Sequence, residues 1–220
     1  GIGVQKRSVL VALGINSDGK KEIIDFRQVY GESQSAWEAF LQDLYRRGLE
    51  GQSLRLIIID GGKGLLAALP LVYGDVPIQR CWAHKTRNVL NYVKRADQKK
   101  VKKCLHRISH ARNLREAHKA AQRFVARWQT SYPKAVNCLR QDLPELLSFL
   151  QVNLSFPHSM LRTTNAIERR FREIRRRTRP MGTFSDHTSM DRIMFSVFAY
   201  ENLKQGTNTP FLLLTQNTCH

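Results

Sequence analysis

The spacing of apolar residues changes at about residue 84, and this change limits the folds available to the chain. Before it, short β-rich apolar runs such as Ser8–Ile15 and 54–59 (LRLIII) are typical of strands, and a helical pattern follows Ser33. From 85 to 155 the apolar residues recur at helical spacing, and strand patterns are nearly absent. Strands and helices that precede a purely helical block predict an α/β core with a helical insertion.

Local signals give this prediction its boundaries. A turn of the hairpin type, 16–19 (NSDG), separates the first strand from a second at 22–26, and Pro133 and Pro144 divide the helical block. We predict an α/β core in two parts, an all-helical basic insertion between them, and a tail. The four parts are residues 1–84, 85–155, 156–205 and 206–220.

The charge of the chain indicates a polyanionic partner. The 220 residues contain 36 Lys and Arg against 18 Asp and Glu, a formal net charge of +18. Such self-repulsion is usually relieved by an anion, so nucleic acid is the first candidate and an anionic membrane surface the second. Seven of the eleven positions 169–179 are arginine and none is lysine, which favours phosphate binding over a merely solvated face. This concentration of charge removes the membrane as a serious partner.

Several protein classes are excluded by composition. No apolar run approaches the roughly 18 residues that a membrane-spanning helix needs. Four scattered cysteines, Cys81, Cys104, Cys138 and Cys219, do not suggest a disulfide scaffold and fit a reducing cytoplasm. The chain does not begin with methionine, and we expect it to be a piece of something longer.

Asp60 is the first candidate for chemistry. It follows the apolar run 54–59, and ligands bind at the carboxyl ends of strands in α/β sheets, where a carboxylate is a natural metal ligand. The alternative is structural, since Asp-Gly is a favourable turn pair and Asp can cap the helix expected after Gly62.

Glu168 is the second candidate. It stands three residues after Asn165, the spacing of a capping box, and four before Arg172, the spacing of a helical ion pair. Its position on the helix suggests a role beyond a capping box or a helical ion pair. It begins a stripe of charged residues next to an apolar stripe, and a carboxylate beside guanidinium groups suits a metal ion next to a phosphate backbone. The apolar stripe is Ile167, Phe171 and Ile174, and the charged stripe is Glu168, Arg172, Arg175 and Arg179.

A C-x2-H pattern, Cys81 and His84, allows three interpretations. With Cys104 and His106 it could form a Cys2His2 zinc site, although the spacing is not a usual one. It could also be a buried cysteine beside a hydrogen-bonded histidine. In the third interpretation His84 contacts a reacting phosphate.

Four segments in this order resemble the catalytic domain of bacterial mutator-type transposases, over nearly the whole chain. They are 56–65 (LIIIDGGKGL), 78–88 (IQRCWAHKTRN), 162–169 (RTTNAIER) and 175–179 (RRRTR). The resemblance implies an RNase H-like mixed sheet flanked by helices, with DDE chemistry on DNA. It implies that Asp60 and Glu168 are the second and third catalytic carboxylates and metal ligands, and that Cys81 and His84 lie near the active site, with His84 supporting catalysis.

The resemblance further implies two Mg2+ ions about 4 Å apart, which oxygen ligands hold and which assist phosphoryl transfer. Mn2+ is a possible substitute. Its partners would be transposon ends and target DNA, bound by a homo-oligomer in the bacterial cytoplasm, at the nucleoid. The residues expected to bind DNA are Lys85, Arg87, Arg169, Arg172, Arg175, Arg176 and Arg179.

One departure from the family pattern concerns the first catalytic carboxylate. The family carries it on a strand before the run Ser8–Ile15, whereas no acidic residue precedes Asp18 here. We therefore expect the first Asp and an N-terminal DNA-binding domain to lie outside this chain, and the 220 residues alone to have little catalytic activity. The alternative function is a non-catalytic basic DNA-binding protein.

Overall fold

The computed structural model describes residues 7–153, 156–178 and 187–207. Its strands lie between residues 8 and 80 together with the first helices, and the described elements after β4 are helices, as the sequence predicts. The strands are β1 (Ser8–Ile15), β2 (Lys21–Val29), β3 (Ile57–Ile59) and β4 (Ile78–Arg80). The helices are α1 (Gln34–Arg46), α2 (Lys63–Tyr73), α3 (Trp82–Leu90), α4 (Arg95–Ser109), α5 (Leu114–Trp128), α6 (Pro133–Gln141), α7 (Leu143–Leu146), α8 (Asn165–Thr178) and α9 (His187–Lys204).

Two compact units divide the chain. The first comprises Gly1–Leu54, Gly62–Asp75 and Asn165–His220, and the second comprises Arg55–Gly61 and Val76–Thr164. The second unit therefore combines β3 and β4 with the helices that the sequence assigns to the insertion. The boundary predicted at residue 84 lies where the sequence pattern changes. It does not coincide with the boundaries of the two units, which are defined by contacts within the fold.

The first unit is built on an antiparallel hairpin. β1 pairs with β2, and the turn between them is stabilised by Asn16, whose side-chain oxygen accepts hydrogen bonds from the backbone N–H groups of Asp18 at 3.1 Å and Lys20 at 2.9 Å. Gly19 adopts a φ of 76°, which explains the glycine at that position. The predicted hairpin is thus confirmed.

Both faces of the hairpin are covered, and for this reason its strands are apolar at successive positions. Leu10 belongs to a core cluster with Phe40 and Leu44 of α1. The neighbouring Val9 and Val11 point to the opposite face and pack against a second cluster, because successive strand side chains alternate. The buried members of that second cluster are Ile23 of β2, Ile174 of α8, and Met194, Val197 and Phe198 of α9.

Local signals explain how α1 and α2 begin. Ser33 caps α1, with its hydroxyl accepting a hydrogen bond from the Ala36 N–H at 3.2 Å, as predicted. Gly64 lies in the first turn of α2, where a Cβ atom would come within 2.2 Å of the Glu32 carbonyl oxygen. Only glycine permits this approach of α2 to the segment that enters α1.

The second unit holds a short parallel pair of strands and the helices α3 to α7. β3 and β4 pair through three residues each, so β3 is shorter than the apolar run predicted at 54–59. Pro133 begins α6 and Pro144 lies in the first turn of α7, as predicted from proline's effect on helices. Of the apolar positions predicted on α4 and α5, Val125 is only half-buried. The others are buried: Val101, Leu105, Ile108, Ala117, Ala121, Phe124 and Trp128.

The mixed α/β class is confirmed, whereas an RNase H-like sheet is not. In the part of the chain that the structure describes, β1–β2 and β3–β4 form two separate two-stranded sheets, and no hydrogen-bonded ladder joins them. Among the same residues, no helix combines the length and the apolar character needed to cross a bilayer.

A polar residue of α9 joins the helix to the hairpin. Asn202 is fully buried; its side-chain oxygen accepts from the Ile23 N–H at 2.8 Å and its amide donates to the Ile23 carbonyl at 2.9 Å. One side chain therefore satisfies both backbone groups of a buried strand residue, where an unpaired polar group is costly.

Replacement of Asn202 by alanine should lower the free energy of unfolding by about 2–4 kcal/mol, because two buried backbone groups would be left without partners. Urea denaturation followed by circular dichroism measures the change. Gln205→Ala removes an exposed amide nearby in the same unit and should change stability by less than about 0.5 kcal/mol. Equal effects of the two substitutions would contradict this role for Asn202.

Candidate functional site

In the second unit, the carboxyl ends of β3 and β4 lie at the same edge of the parallel pair. Ile59 is paired with Arg80, and the Cys81 N–H donates a hydrogen bond of 2.7 Å to the Ile59 carbonyl. The next residue along β3 is Asp60, which is exposed. An exposed carboxylate directly after a parallel strand has the position of a ligand-binding group in α/β proteins.

The chain turns sharply after Asp60. Gly61 has a φ of 97°, and a Cβ atom there would lie 3.3 Å from a terminal nitrogen of Arg80. Gly62 occupies the N-cap position of α2, so Asp60 is not the N-cap residue of this helix. The turn preference of Asp-Gly is satisfied, and it leaves the carboxylate at the surface.

Cys81 of the C-x2-H pattern is buried and accepts hydrogen bonds. Its sulfur lies 3.3 Å from the backbone nitrogen and 3.4 Å from the hydroxyl oxygen of Thr164. The next residue, Trp82, donates its backbone N–H to the Arg162 carbonyl at 2.9 Å. These bonds attach the segment 162–164 to the start of α3. Cys81 is thus a buried cysteine that holds a neighbouring segment in place. This agrees with the interpretation of the C-x2-H pattern in which the cysteine is buried.

The zinc interpretation of the C-x2-H pattern finds no support among the described residues, which include Cys81, His84, Cys104 and His106. They contain no cluster of three or more His, Cys, Asp or Glu side chains that could hold a metal ion. The sulfur of Cys81 instead accepts hydrogen bonds from Thr164, and Cys104 and His106 line a groove elsewhere in the unit. Cys81, Cys104 and Cys138 are free thiols, and Cys219 lies outside the described residues.

His84 lies in the first turn of α3 and is half-buried. Its predicted contact to a phosphate remains a prediction.

Lys85 does not fit its predicted role as a DNA contact. Only 7% of the residue is exposed, and its ammonium group pairs with Asp142 and donates to the Cys138 carbonyl at 3.1 Å. A buried ammonium group needs such partners, so the charge is directed inward and neutralised. Arg87, two residues further on, is exposed and remains a candidate.

A buried glutamine that sequence reasoning missed, Gln79, and the indole of Trp82 hold the segment 146–149. Gln79 donates to the Leu146 carbonyl at 3.0 Å and accepts from the Phe149 N–H at 2.9 Å. The Trp82 indole N–H donates to the same Leu146 carbonyl at 2.8 Å. The sequence feature that could have revealed these contacts is a glutamine inside a short strand, because a polar side chain in a covered strand requires hydrogen-bond partners.

In the first unit, α8 carries the arginine-rich segment. Glu168 is half-buried in its first turn, where the positive end of the helix dipole favours a carboxylate. The predicted packing of Ile174 and Phe171 against the core is confirmed. Of the DNA contacts predicted in this segment, four are exposed, and Arg179 lies outside the described residues. The exposed residues are Arg169, Arg172, Arg175 and Arg176.

The arginines of α8 differ in their surroundings. Arg170 pairs with Glu201 of α9 at 3.4 Å, and Arg176 pairs with Glu173 at 3.1 Å. Burial, followed by the nearby charges of Arg169 and Arg170, lowers the pKa of Lys21 on β2. This repulsion shows a local excess of positive charge, which a bound anion would relieve.

Asp60 belongs to the second unit and Glu168 to the first. Their action as a pair of metal ligands remains a prediction.

Lys85 and Arg87 form a matched pair for experiment. Lys85→Met should lower the free energy of unfolding by about 3 kcal/mol or more, since it deprives the Asp142 carboxylate of its closest partner in a buried site. Arg87→Gln should leave stability within about 0.5 kcal/mol and weaken binding to duplex DNA. Chemical denaturation and fluorescence anisotropy measure the two effects. A stable Lys85→Met protein with weakened DNA binding would contradict the inward role of Lys85.

Comparison with known proteins identifies the family. The model of the mutator family of transposases matches residues 2–206. The chain is 43% identical over 77% of its length to the transposase for insertion sequence element IST2 of Acidithiobacillus ferrooxidans, covering 57% of that protein. It is 32% identical over 92% of its length to the IS905 transposase of Lactococcus lactis, covering 51%. It is 32% identical over 88% to the IS256 transposase in transposon Tn4001 of Staphylococcus aureus, covering 49%.

The chain thus spans about half the length of the curated relatives that it matches. The match covers β1 to α9, and therefore includes the strand end of Asp60, the C-x2-H pattern and the arginine-rich helix. On this coverage and identity, the chain belongs to the mutator family of transposases.

Proposed function

We propose that the chain forms part of the catalytic domain of a DNA transposase. Such an enzyme cleaves DNA strands at the ends of a mobile element and joins them to target DNA. The observation that carries the proposal is the exposed Asp60 carboxylate at the carboxyl end of a parallel strand, in a chain of the mutator family. The fold that we propose for the whole catalytic domain is RNase H-like, and its carboxylates are of the DDE type.

Asp60 and Glu168 are the proposed metal ligands, and their chemistry fits the group. Both are carboxylates at least partly accessible to solvent, and Mg2+ or Mn2+ prefers hard oxygen ligands of this kind. When bound, such ions lower the cost of charge on the attacking and leaving oxygens of phosphoryl transfer. Further ligands can come from water, from DNA phosphate oxygens or from a carboxylate outside this chain.

The other residues bind and orient DNA in this proposal. The exposed guanidinium groups of α8 hold phosphates, for which their planar donor geometry is suited. His84 contacts a phosphate near the reacting group. Cys81 is a positioning residue, since its sulfur holds Thr164 immediately before α8 begins. Cleavage of two element ends together would require a homo-oligomer.

The metal-ligand assignment is tested first by binding, in the complete reading frame that encodes these residues. Asp60→Asn and Glu168→Gln should each weaken Mn2+ binding by about tenfold or more, because a neutral amide replaces a charged ligand. Electron paramagnetic resonance of free Mn2+ measures the affinity. The matched controls, Asp75→Asn and Glu173→Gln, alter an exposed and a partly exposed carboxylate in the same regions of sequence and should leave the affinity within twofold.

The same variants test catalysis. Both site variants should abolish cleavage of element-end duplexes in Mg2+ and still bind those duplexes in Ca2+, since the arginines are intact. Retained cleavage by Glu168→Gln would refute its assignment. Duplex binding without cleavage by the unaltered protein would favour the non-catalytic DNA-binding function, for which the net charge of +18 is sufficient.

A further inference from the structure

A cationic groove in the second unit lies outside the predicted catalytic residues. It is a surface groove of about 820 Å3 lined by residues of α4, α5 and the turn between them. We call it the α4–α5 groove. Its charged lining consists of Arg107, Arg112, Glu116, Lys119, Arg123 and Arg127, and all six residues are exposed.

Among the residues that the structure describes, ion pairs do not neutralise the cations of the groove. None of its five cationic side chains forms an ion pair with another described residue. The single carboxylate, Glu116, is engaged at the start of α5: its oxygen accepts from the Arg112 N–H at 3.1 Å, and its own N–H donates to the Asn113 cap at 2.9 Å. Five cations against one carboxylate leave an excess of four positive charges around one concave surface, which attracts a polyanion.

The cations of α5 are arranged along one face. Lys119, Arg123 and Arg127 follow each other at intervals of four residues, about 6 Å apart along the helix axis. They span about 12 Å, and duplex DNA of that length carries roughly seven phosphates on its two strands. Four of the five cations of the groove are arginines, whose planar donor groups suit phosphate oxygens. A merely solvated surface would not require arginine.

The lining favours a duplex over a single strand. Single-stranded nucleic acid is usually held by aromatic side chains on which bases stack. The aromatic residue of the lining, Phe124, is 1% exposed and belongs to the core. The rings of His106 and His110 stack on each other, with their centroids 3.5 Å apart, and each therefore already covers one face of the other. Five cations outnumber this single exposed histidine pair, so the lining is suited mainly to the phosphate backbone, which does not distinguish the bases.

We propose that the α4–α5 groove binds the phosphate backbone of duplex DNA independently of sequence, as a second DNA-binding surface besides the arginines of α8. This inference rests on the proposed function, because it assumes that DNA is the substrate. It assigns a role to the helical part of the second unit, where sequence analysis found only a general excess of basic residues.

The test compares two triple variants of the full chain that remove the same number of charges. The groove variant carries Lys119→Gln, Arg123→Gln and Arg127→Gln. The control carries Lys99→Gln, Lys102→Gln and Lys103→Gln, which are exposed on α4 and do not line the groove. Binding to a fluorescent duplex of arbitrary sequence is followed by anisotropy over a series of salt concentrations, and thermal unfolding checks that each variant is folded.

The groove variant should bind about tenfold more weakly or worse, and the slope of log K against log salt should fall by about 2–3, which is roughly 0.9 for each phosphate that the protein no longer neutralises. The control should change the slope by less than about 1. A second groove variant on the other wall, Arg107→Gln with Arg112→Gln, should reduce the slope by about 2.

Equal reductions in affinity for the groove and control variants would overturn the inference, since general electrostatics would then explain the binding. A groove variant with weakened binding to single strands but not to duplexes, or to RNA but not to DNA, would also overturn it. Failure of the unaltered protein to bind any duplex would instead refute the proposed function, so the two failures are distinguishable.

Discussion

The second unit depends on the junction between β4 and α3, where neighbouring side chains each hold a different segment. Gln79 binds the backbone at 146 and 149, Cys81 accepts from Thr164, and Lys85 pairs with Asp142. Arg80 adds ion pairs to Asp142 and Glu145. The parallel pair of strands is only three residues long, so it contributes few backbone hydrogen bonds of its own. The side chains of the junction join this pair of strands to the helices of the unit.

This junction also gives the C-x2-H pattern a physical meaning. Cysteine is small and apolar enough to be buried, and its sulfur still accepts weak hydrogen bonds. At position 81 it lies beside Ile59, one residue before Asp60, and it holds Thr164, one residue before α8. The thiol thereby connects the backbone of one proposed catalytic segment to the chain that leads into the other. A zinc site would have required further His or Cys ligands beside the Cys81 sulfur.

Much of the fold could be predicted from the sequence because its signals are local. The hairpin follows from apolar strands around Asn16 and Gly19, and α1 follows from Ser33 and its helical periodicity. The buried positions of α4 and α5 follow from spacing alone. The lengths of β3 and β4 could not be predicted, since the apolar run 54–59 does not reveal how many of its residues find a paired neighbour.

The sequence by itself determined the family, the excess of positive charge, the helical part and the candidate residues Asp60 and Glu168, because these depend on residue types and their spacing. Only the tertiary structure decided which charges face solvent. Lys85 and Arg87 look equivalent in sequence, yet one is buried against Asp142 and the other is exposed. The partner of Lys85 stands 57 positions away, and Asn202 binds Ile23 across 179 positions. Burial of a polar group depends on such distant partners, which no local pattern specifies.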